Sequence, residues 1–327
     1  MSPVLKRIKR HLASRPVLSS LRRGLAAATP RQLVPSRGKV GRAKLAMRGV
    51  GHTFGKEVIA LRDVDIDVHT GEFVCLLGPS GCGKSTLLYA LAGLVRPSGG
   101  HVSLDGKDVT GPGPDRMLVF QDAALFPWLS VKQNLTFVLR ARGLSRADAD
   151  ERARAFVRLV HLDGFEGALP HQLSGGMRMR VALARALAMD PAVLLMDEPF
   201  GALDAQTRSH MHVLLQQIWM RDKKTVVFVT HNIREALVLG DRVVVMAGRP
   251  GRVLQDLEVQ LPRPRDPDDP ALVDMSRHIR DLLGRAEAAS ATPTPPPIAH
   301  KAEATNDDAA PADRLPGGPP RPLGAGI

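Results

Sequence analysis

Cysteine is nearly absent: Cys75 and Cys82 are the only two in 327 residues. That excludes a disulfide framework and suits a reducing compartment. Long apolar runs are missing too. No stretch approaches the roughly 18–20 residues needed to cross a bilayer, so no transmembrane span is expected. No apolar segment follows the basic start, which argues against a secretory signal. Acids are absent from the first 56 residues; the first is Glu57. Residues 1–48 hold thirteen of the 45 Lys and Arg, which leaves 32 bases against 33 acids in residues 49–327. The net charge of +12 therefore describes a leader and not the body. A basic nucleic-acid surface would have to sit on the folded part, so no nucleic-acid partner is expected. No internal repeat occurs, and the eleven histidines show no metal-type spacing. What is present, 44% apolar and 24% charged residues, is ordinary for a protein with a packed core.

Residues 1–45 read as a basic extension, expected to be disordered. Such a segment fits a transit peptide, an arm lying on anionic lipid, or a dispensable solvated tail. Residues 287–327 contain Pro295-Pro296-Pro297 and Gly317-Gly318 and read as an Ala/Pro-rich disordered tail. Between them, residues 46–260 are expected to form the main domain and 261–286 a helical extension. Asp63 to Val68 alternates polar and apolar, a half-exposed strand. Phe73 to Leu77 is a continuous apolar run, as in a buried parallel strand. Lys84 to Leu94 reads as a helix. Asp105-Gly106 marks a hairpin turn within His101–Val109. Met117–Phe120 is a short strand, and residues 131–162 are helical. Helix Met177–Ala188, strand Ala192–Met196, helix Ala205–Trp219, strand Thr225–Val229, helix Asn232–Leu239 and strand Arg242–Met246 follow. The pattern is α/β with an all-helical insert at about 122–175. Trp219 is expected as a core anchor and Cys75 as buried.

Three motifs carry chemistry. Gly78-Pro79-Ser80-Gly81-Cys82-Gly83-Lys84-Ser85, followed by Thr86, fits G-x-x-x-x-G-K-[ST] between a strand and a helix. Its glycines let backbone N–H groups face phosphate oxygens, and the helix start adds its dipole. Lys84 would reach the β- and γ-phosphates, and Ser85 would bind Mg²⁺. Cys82, inside this loop, is open to alkylation or oxidation without a redox role. Leu194-Leu195-Met196-Asp197-Glu198 is a buried strand ending in two acids, where α/β folds place ligand chemistry. Asp197 can hold hydrated Mg²⁺, and Glu198 can polarise or deprotonate water. Ser174-Gly175-Gly176-Met177 precedes a helix. Ser174 is a good N-cap, and the glycines bare backbone N–H groups for a second anion site.

In this order the motifs resemble the nucleotide-binding subunit of an ATP-binding cassette (ABC) transporter, over about residues 45–260. The resemblance implies a P-loop NTPase fold with an antiparallel β subdomain and a helical subdomain insert. It implies ATP and Mg²⁺ as ligands. Gln121 resembles the Q-loop glutamine that touches Mg²⁺. Gly201-Ala202-Leu203-Asp204 resembles the D-loop, His231 the switch histidine at the γ-phosphate, and Phe54 the aromatic that stacks on adenine. Catalysis is then expected from Glu198, His231 and Lys84. Leu125-Phe126-Pro127-Trp128-Leu129-Ser130-Val131, Met177 and Arg249-Pro250-Gly251-Arg252 are similar to importers of nitrate, taurine, alkanesulfonates and bicarbonate. Met179 replaces a Gln frequent in that group.

The family implies a head-to-tail homodimer on the cytoplasmic face of the cell membrane. Its partners would be transmembrane permease subunits and, through them, a periplasmic or lipid-anchored solute-binding protein. A soluble cassette ATPase of DNA repair or translation is the rival reading, but two cassettes or a coiled-coil insert are absent. A non-hydrolysing scaffold is opposed by Glu198 and His231. Phe126 and Trp128 are expected to be exposed and to meet the permease.

Overall fold

The computed structural model describes residues 33–36, 42–55 and 57–290. The leader up to residue 32 and the tail beyond 290 lie outside the described residues.

Strand β1 (Val34–Pro35) precedes the long pair β2 (Leu45–Phe54) and β3 (Val58–Val68). Strand β4 (Phe73–Leu77) feeds helix α1 (Lys84–Ala92). A hairpin of β5 (Gly99–Leu104) and β6 (Lys107–Asp108) turns at Asp105-Gly106 and is followed by β7 (Arg116–Val119). Then come α2 (Val131–Ala141), α3 (Arg146–Leu159), a 3₁₀ turn at Pro170–Gln172 and α4 (Gly175–Ala188). The remainder is β8 (Val193–Asp197), α5 (Ala205–Asp222), β9 (Thr225–Thr230), α6 (Ile233–Leu239), β10 (Arg242–Ala247), β11 (Arg252–Glu258) and α7 (Pro270–Ser290).

The strands sort into two sheets by their burial. Strands β4, β8, β9 and β10 are buried along their whole length. They lie in a seven-stranded sheet of order β1-β11-β10-β4-β9-β8-β7. Its five strands from β10 to β7 are parallel, covered on both faces as such strands require. The half-exposed strands form a four-stranded antiparallel sheet, β3-β2-β5-β6. Alternation along β4 divides the core. Val74 and Leu76 face a cluster with Met47, Ile66, Leu87, Leu88 and Leu91, so α1 packs between the two sheets. Phe73, Cys75 and Leu77 face the other side, with Leu183, Leu215, Trp219, Leu237 and Ile279 from α4 to α7. Each such buried side chain contributes about 1.5–3 kcal/mol before ordering costs.

Three details depart from the sequence reading. Val34–Pro35 falls in the stretch expected as a disordered extension, yet it pairs with Leu257 and Glu258 of β11. Helix α4 begins at Gly175 and not at Met177, so both glycines sit in its first turn. Phe126, expected to be exposed, is half-buried against Phe137 (centroids 4.9 Å apart), with the Arg185 guanidinium 5.4 Å from its ring.

The loop carrying Phe126 is shaped by Asn134, which is wholly buried on α2. Its Oδ1 accepts from Phe126 N, and its Nδ2 donates to the carbonyls of Phe126, Leu129 and Ser130. Ser130 and Gln133 form a capping box at the same helix start. Trp128 projects from this loop and is 71% exposed. At the other end of the chain, buried Arg265 donates to the carbonyls of Leu237 and Gly240 at the end of α6. Burial pulls its guanidinium down to about 10.

Candidate functional site

Three neighbouring parallel strands end at one edge. Leu77 of β4 is in register with Thr230 of β9, and Asp197 of β8 with Val229. The residues that follow them, Gly78–Lys84, Glu198 and His231, are therefore delivered to one place, the C-terminal edge where open α/β sheets bind ligands.

The loop from Gly78 to Gly83 admits no side chains at its tight points. A Cβ on Gly78 would lie 2.2 Å from Met246 O, and one on Gly83 2.8 Å from Ala60 O. Gly81 and Gly83 adopt φ of 82° and 86°, the left-handed region that costs other residues roughly 1–2 kcal/mol. Gly83 caps α1 without a side chain, so the first N–H groups of that helix have no competing acceptor from the cap. Arg249 Nη2 donates to Ser80 O at 3.2 Å, and Gly251 N to Ala60 O at 2.9 Å, which ties the β10–β11 turn to the loop. Cys82 is only 1% exposed, and burial pushes its thiol up. It is therefore not the accessible, oxidisable thiol that its place in the loop suggested.

Lys84 is 4% exposed. Its Nζ donates to Gly78 O and Pro79 O, both at 2.9 Å, and lies 3.8 Å from Glu198 Oε1. Ser85 Oγ donates to Asp197 Oδ1 at 2.9 Å. A hydroxyl and a carboxylate are hard oxygen donors of the type Mg²⁺ takes, and a loop with no room for a Cβ at Gly78, Gly81 and Gly83 fits a phosphate chain. Thr86 is half-buried in the first turn of α1. Glu198 has φ 41°, in the left-handed region, and its Oε2 lies 2.7 Å from His231 Nδ1. Gln121 Nε2 and Glu198 O both approach Gly201, each 3.4 Å from where a Cβ would stand. The cluster thus unites Lys84, Ser85, Asp197, Glu198 and His231, with Gln121 at its rim.

Ser174, Gly175, Gly176 and Met177 make no hydrogen bond or ion pair with that cluster among the described residues. Ser174 Oγ accepts from Met177 N at 3.3 Å, as its capping role requires. Gly176 faces Thr207, whose Cγ2 is 2.2 Å from an added Cβ. Asp204 caps α5 by accepting from Thr207 N at 2.9 Å, and its hydrogen bonds with Thr207 hold its carboxyl below the usual range. Phe54 ends β2, 48% exposed, with the His52 ring edge-on at 4.5 Å.

One partner escaped sequence reading. Tyr89 lies beside Asp197, and burial, followed by that carboxylate, pushes its phenol up to about 12. Its spacing of four from Ser85 puts both on one face of α1, which is the signal that could have found it.

The ABC transporter family pattern matches residues 61–201. An uncharacterized ABC transporter ATP-binding protein of Methanocaldococcus jannaschii is 49% identical over 229 residues, 70% of this chain and 86% of that protein. The nitrate import ATP-binding protein NrtD of a Synechocystis species is 48% identical over 205 residues, 63% of this chain and 77% of that one. The taurine import ATP-binding protein TauB of Rhizobium johnstonii is 51% identical over 210 residues, 64% and 80% of the two chains. Among solved structures, a dimeric ATP-binding cassette in a post-hydrolysis state with ADP and Pi superposes with a TM-score of 0.60 at 33% identity, covering 66% of this chain and 99% of its own.

Proposed function

The chain belongs to the ATP-binding proteins of ABC transporters, and from that premise we propose that it powers import of a small anion such as nitrate, taurine or an alkanesulfonate. The observation that carries the hydrolytic part is the meeting of Lys84, the Ser85–Asp197 pair and the Glu198–His231 pair at one strand edge. The import direction and the solute class are supported by the names of the nitrate and taurine relatives.

In this reading the N–H groups of residues 78–86 and the Lys84 ammonium hold the phosphates of ATP. Ser85 and Asp197, with Gln121 nearby, hold Mg²⁺, which when bound neutralises phosphate charge. Glu198 orients a water and accepts its proton, and His231 steadies the Glu198 carboxylate. A carboxylate only accepts, so His231 Nδ1 carries the proton of that bond. Phe54 offers a ring face to the adenine. Ser174–Met177 present a helix start that completes the site of a second copy, and Asp204 stands beside it in the D-loop. Chemistry of this kind is positioning and charge neutralisation. The dimer would sit on permease subunits at the cytoplasmic face of the membrane, receiving solute from a binding protein outside. Among the described residues no helix is long and apolar enough to cross a membrane, so the membrane contact is assigned to those permease subunits.

The test is Mg²⁺-ATP hydrolysis by the purified chain across protein concentrations. Activity per chain that rises with concentration, and is lost in Lys84→Ala together with ATP binding, supports a composite dimeric site. Activity independent of concentration refutes it. With the permease in vesicles, a solute-loaded receptor should stimulate hydrolysis; its failure with every small anion tried would remove the importer reading.

A further inference from the structure

Behind the exposed His231 lies a buried polar chain that the hydrolytic residues do not include. Glu235, in the first turn of α6, is 4% exposed. Its Oε1 is 2.7 Å from His212 Nε2 on α5, and its Oε2 accepts from the Thr230 hydroxyl at the end of β9. Thr230 Oγ1 also accepts from Asn232 N at 2.9 Å, and Asn232 Oδ1 accepts from Glu235 N at 3.2 Å. His212 and Thr230 are buried as well.

The connectivity closes a ring around one residue. Thr230 and Asn232 are the two chain neighbours of His231: Thr230 is fixed to the Glu235 carboxylate, and Asn232 is tied to it through the Thr230 hydroxyl, besides capping the Glu235 backbone N–H. The histidine itself makes no bond in this ring; its side chain reaches out to Glu198. The other Glu235 oxygen is fixed to α5, the helix that Asp204 caps and that carries Arg208, which donates to Phe200 O and Leu203 O. Burying a carboxylate is costly unless it is well paired; here Oε2 holds the turn that aims His231 and Oε1 anchors it to α5.

We propose that Glu235 is the positioning residue for His231, anchored by His212 on α5 and acting through Thr230 and Asn232. The proposal rests on the reading that His231 serves hydrolysis. It implies a loss of turnover rather than of nucleotide affinity, because Glu235 touches none of the residues assigned to phosphate or Mg²⁺.

The experiment is a double-mutant cycle on the full chain, with kcat and KM for Mg²⁺-ATP measured beside Tm. Glu235→Ala is expected to lower kcat tenfold or more with KM changed less than threefold. Glu235→Gln should recover most of the loss, since its amide can donate to Thr230 Oγ1 and accept from His212. In a His231→Ala background, Glu235→Ala should lower kcat by less than a further twofold. If Glu235→Ala does not fold, Thr230→Val is the second variant, since it keeps side-chain shape while removing the hydroxyl. It should lower kcat in the wild-type background and not in His231→Ala. Equal fold-losses in both backgrounds, or unchanged kcat in Thr230→Val, overturn the positioning role while leaving His231 its own. Wild-type turnover in His231→Ala alone overturns the role of the histidine and the proposal with it.

Discussion

His231 Nδ1 and Glu198 Oε2 stand 2.7 Å apart although 33 residues separate them in the chain. The contact joins the ends of two adjacent strands, β8 and β9. It holds one oxygen of Glu198 and leaves the other facing Lys84 at 3.8 Å. A carboxylate held between an imidazole and an ammonium is oriented, which is what a base acting on water needs.

Glu198→Gln keeps size and an acceptor but cannot take a proton. Hydrolysis in single turnover is expected to fall by about 10²–10⁴, the range for a positioned general base. Ser85, Asp197 and the phosphate loop are untouched, so Mg²⁺-ATP should still bind and hold a closed dimer on size exclusion. Wild-type turnover in this variant would refute the assignment of the base.

Tyr89 is the only tyrosine in the chain, so tyrosinate absorbance reads its phenol alone. Burial and then the Asp197 carboxylate raise it to about 12, above its ordinary value near 10. Between these values the folded chain keeps the proton and the unfolded chain loses it. The Tyr89 contribution to stability is therefore complete below about pH 10 and is lost as pH rises toward about 12. At pH 11 the native protein should show little tyrosinate and the urea-unfolded protein mostly tyrosinate. Asp197→Asn should move the native midpoint down while burial keeps it above the free value. An ordinary midpoint in the native wild type would show that neither burial nor the Asp197 carboxylate acts on this phenol.

Gly251 is pressed against the phosphate loop from behind: an added Cβ would lie 2.0 Å from Cys82 O. Backbone cannot rotate away as a side chain does. Gly251→Ala should cost about 1–3 kcal/mol, as overpacking does, or about 2–12 °C in Tm, and should weaken ATP binding as the loop shifts. Gly111→Ala, where nothing lies within 4 Å, is the control and should leave both unchanged. Equal behaviour of the two variants would show that the turn does not support the loop.

How much of this was legible depended on whether the signal was local. Phe73–Leu77 followed by Gly78–Ser85 was readable because a fully buried strand is a continuous apolar run and the cradle needs glycine at fixed offsets. β2 was not read: its paired register breaks around Gly49 and Gly51, so no clean alternation survives along Leu45–Phe54. β11 lies between β1 and β10 and, apart from Leu257, is only partly buried or exposed, which leaves little pattern in Arg252–Glu258. His212 and Glu235 are 23 residues apart on different helices, and their pairing exists only once α5 packs on α6. Trp219 and Cys75 were read as buried, and both are.

Trp128 tests the link between this site and a membrane partner. Gln121 is followed by the loop that Asn134 fixes in shape, so the loop is built and not merely solvated. Phe126 spends its ring inside, on Phe137 and Arg185. Trp128, 5.8 Å from Phe126 between centroids, spends its own outside. A large, exposed, anchored aromatic is the type of residue that dominates interfaces. Trp128→Ala removes little packing, so Tm and the ATPase of the isolated chain should stay near wild type. Binding to the permease should weaken tenfold or more, about 1.4 kcal/mol or above, and solute uptake in reconstituted vesicles should fall with it. Phe126→Ala should behave differently, because it empties a packed site and lowers Tm. Normal uptake by Trp128→Ala would remove this loop from the permease contact, and a collapse of its Tm would mean that the ring supports the fold.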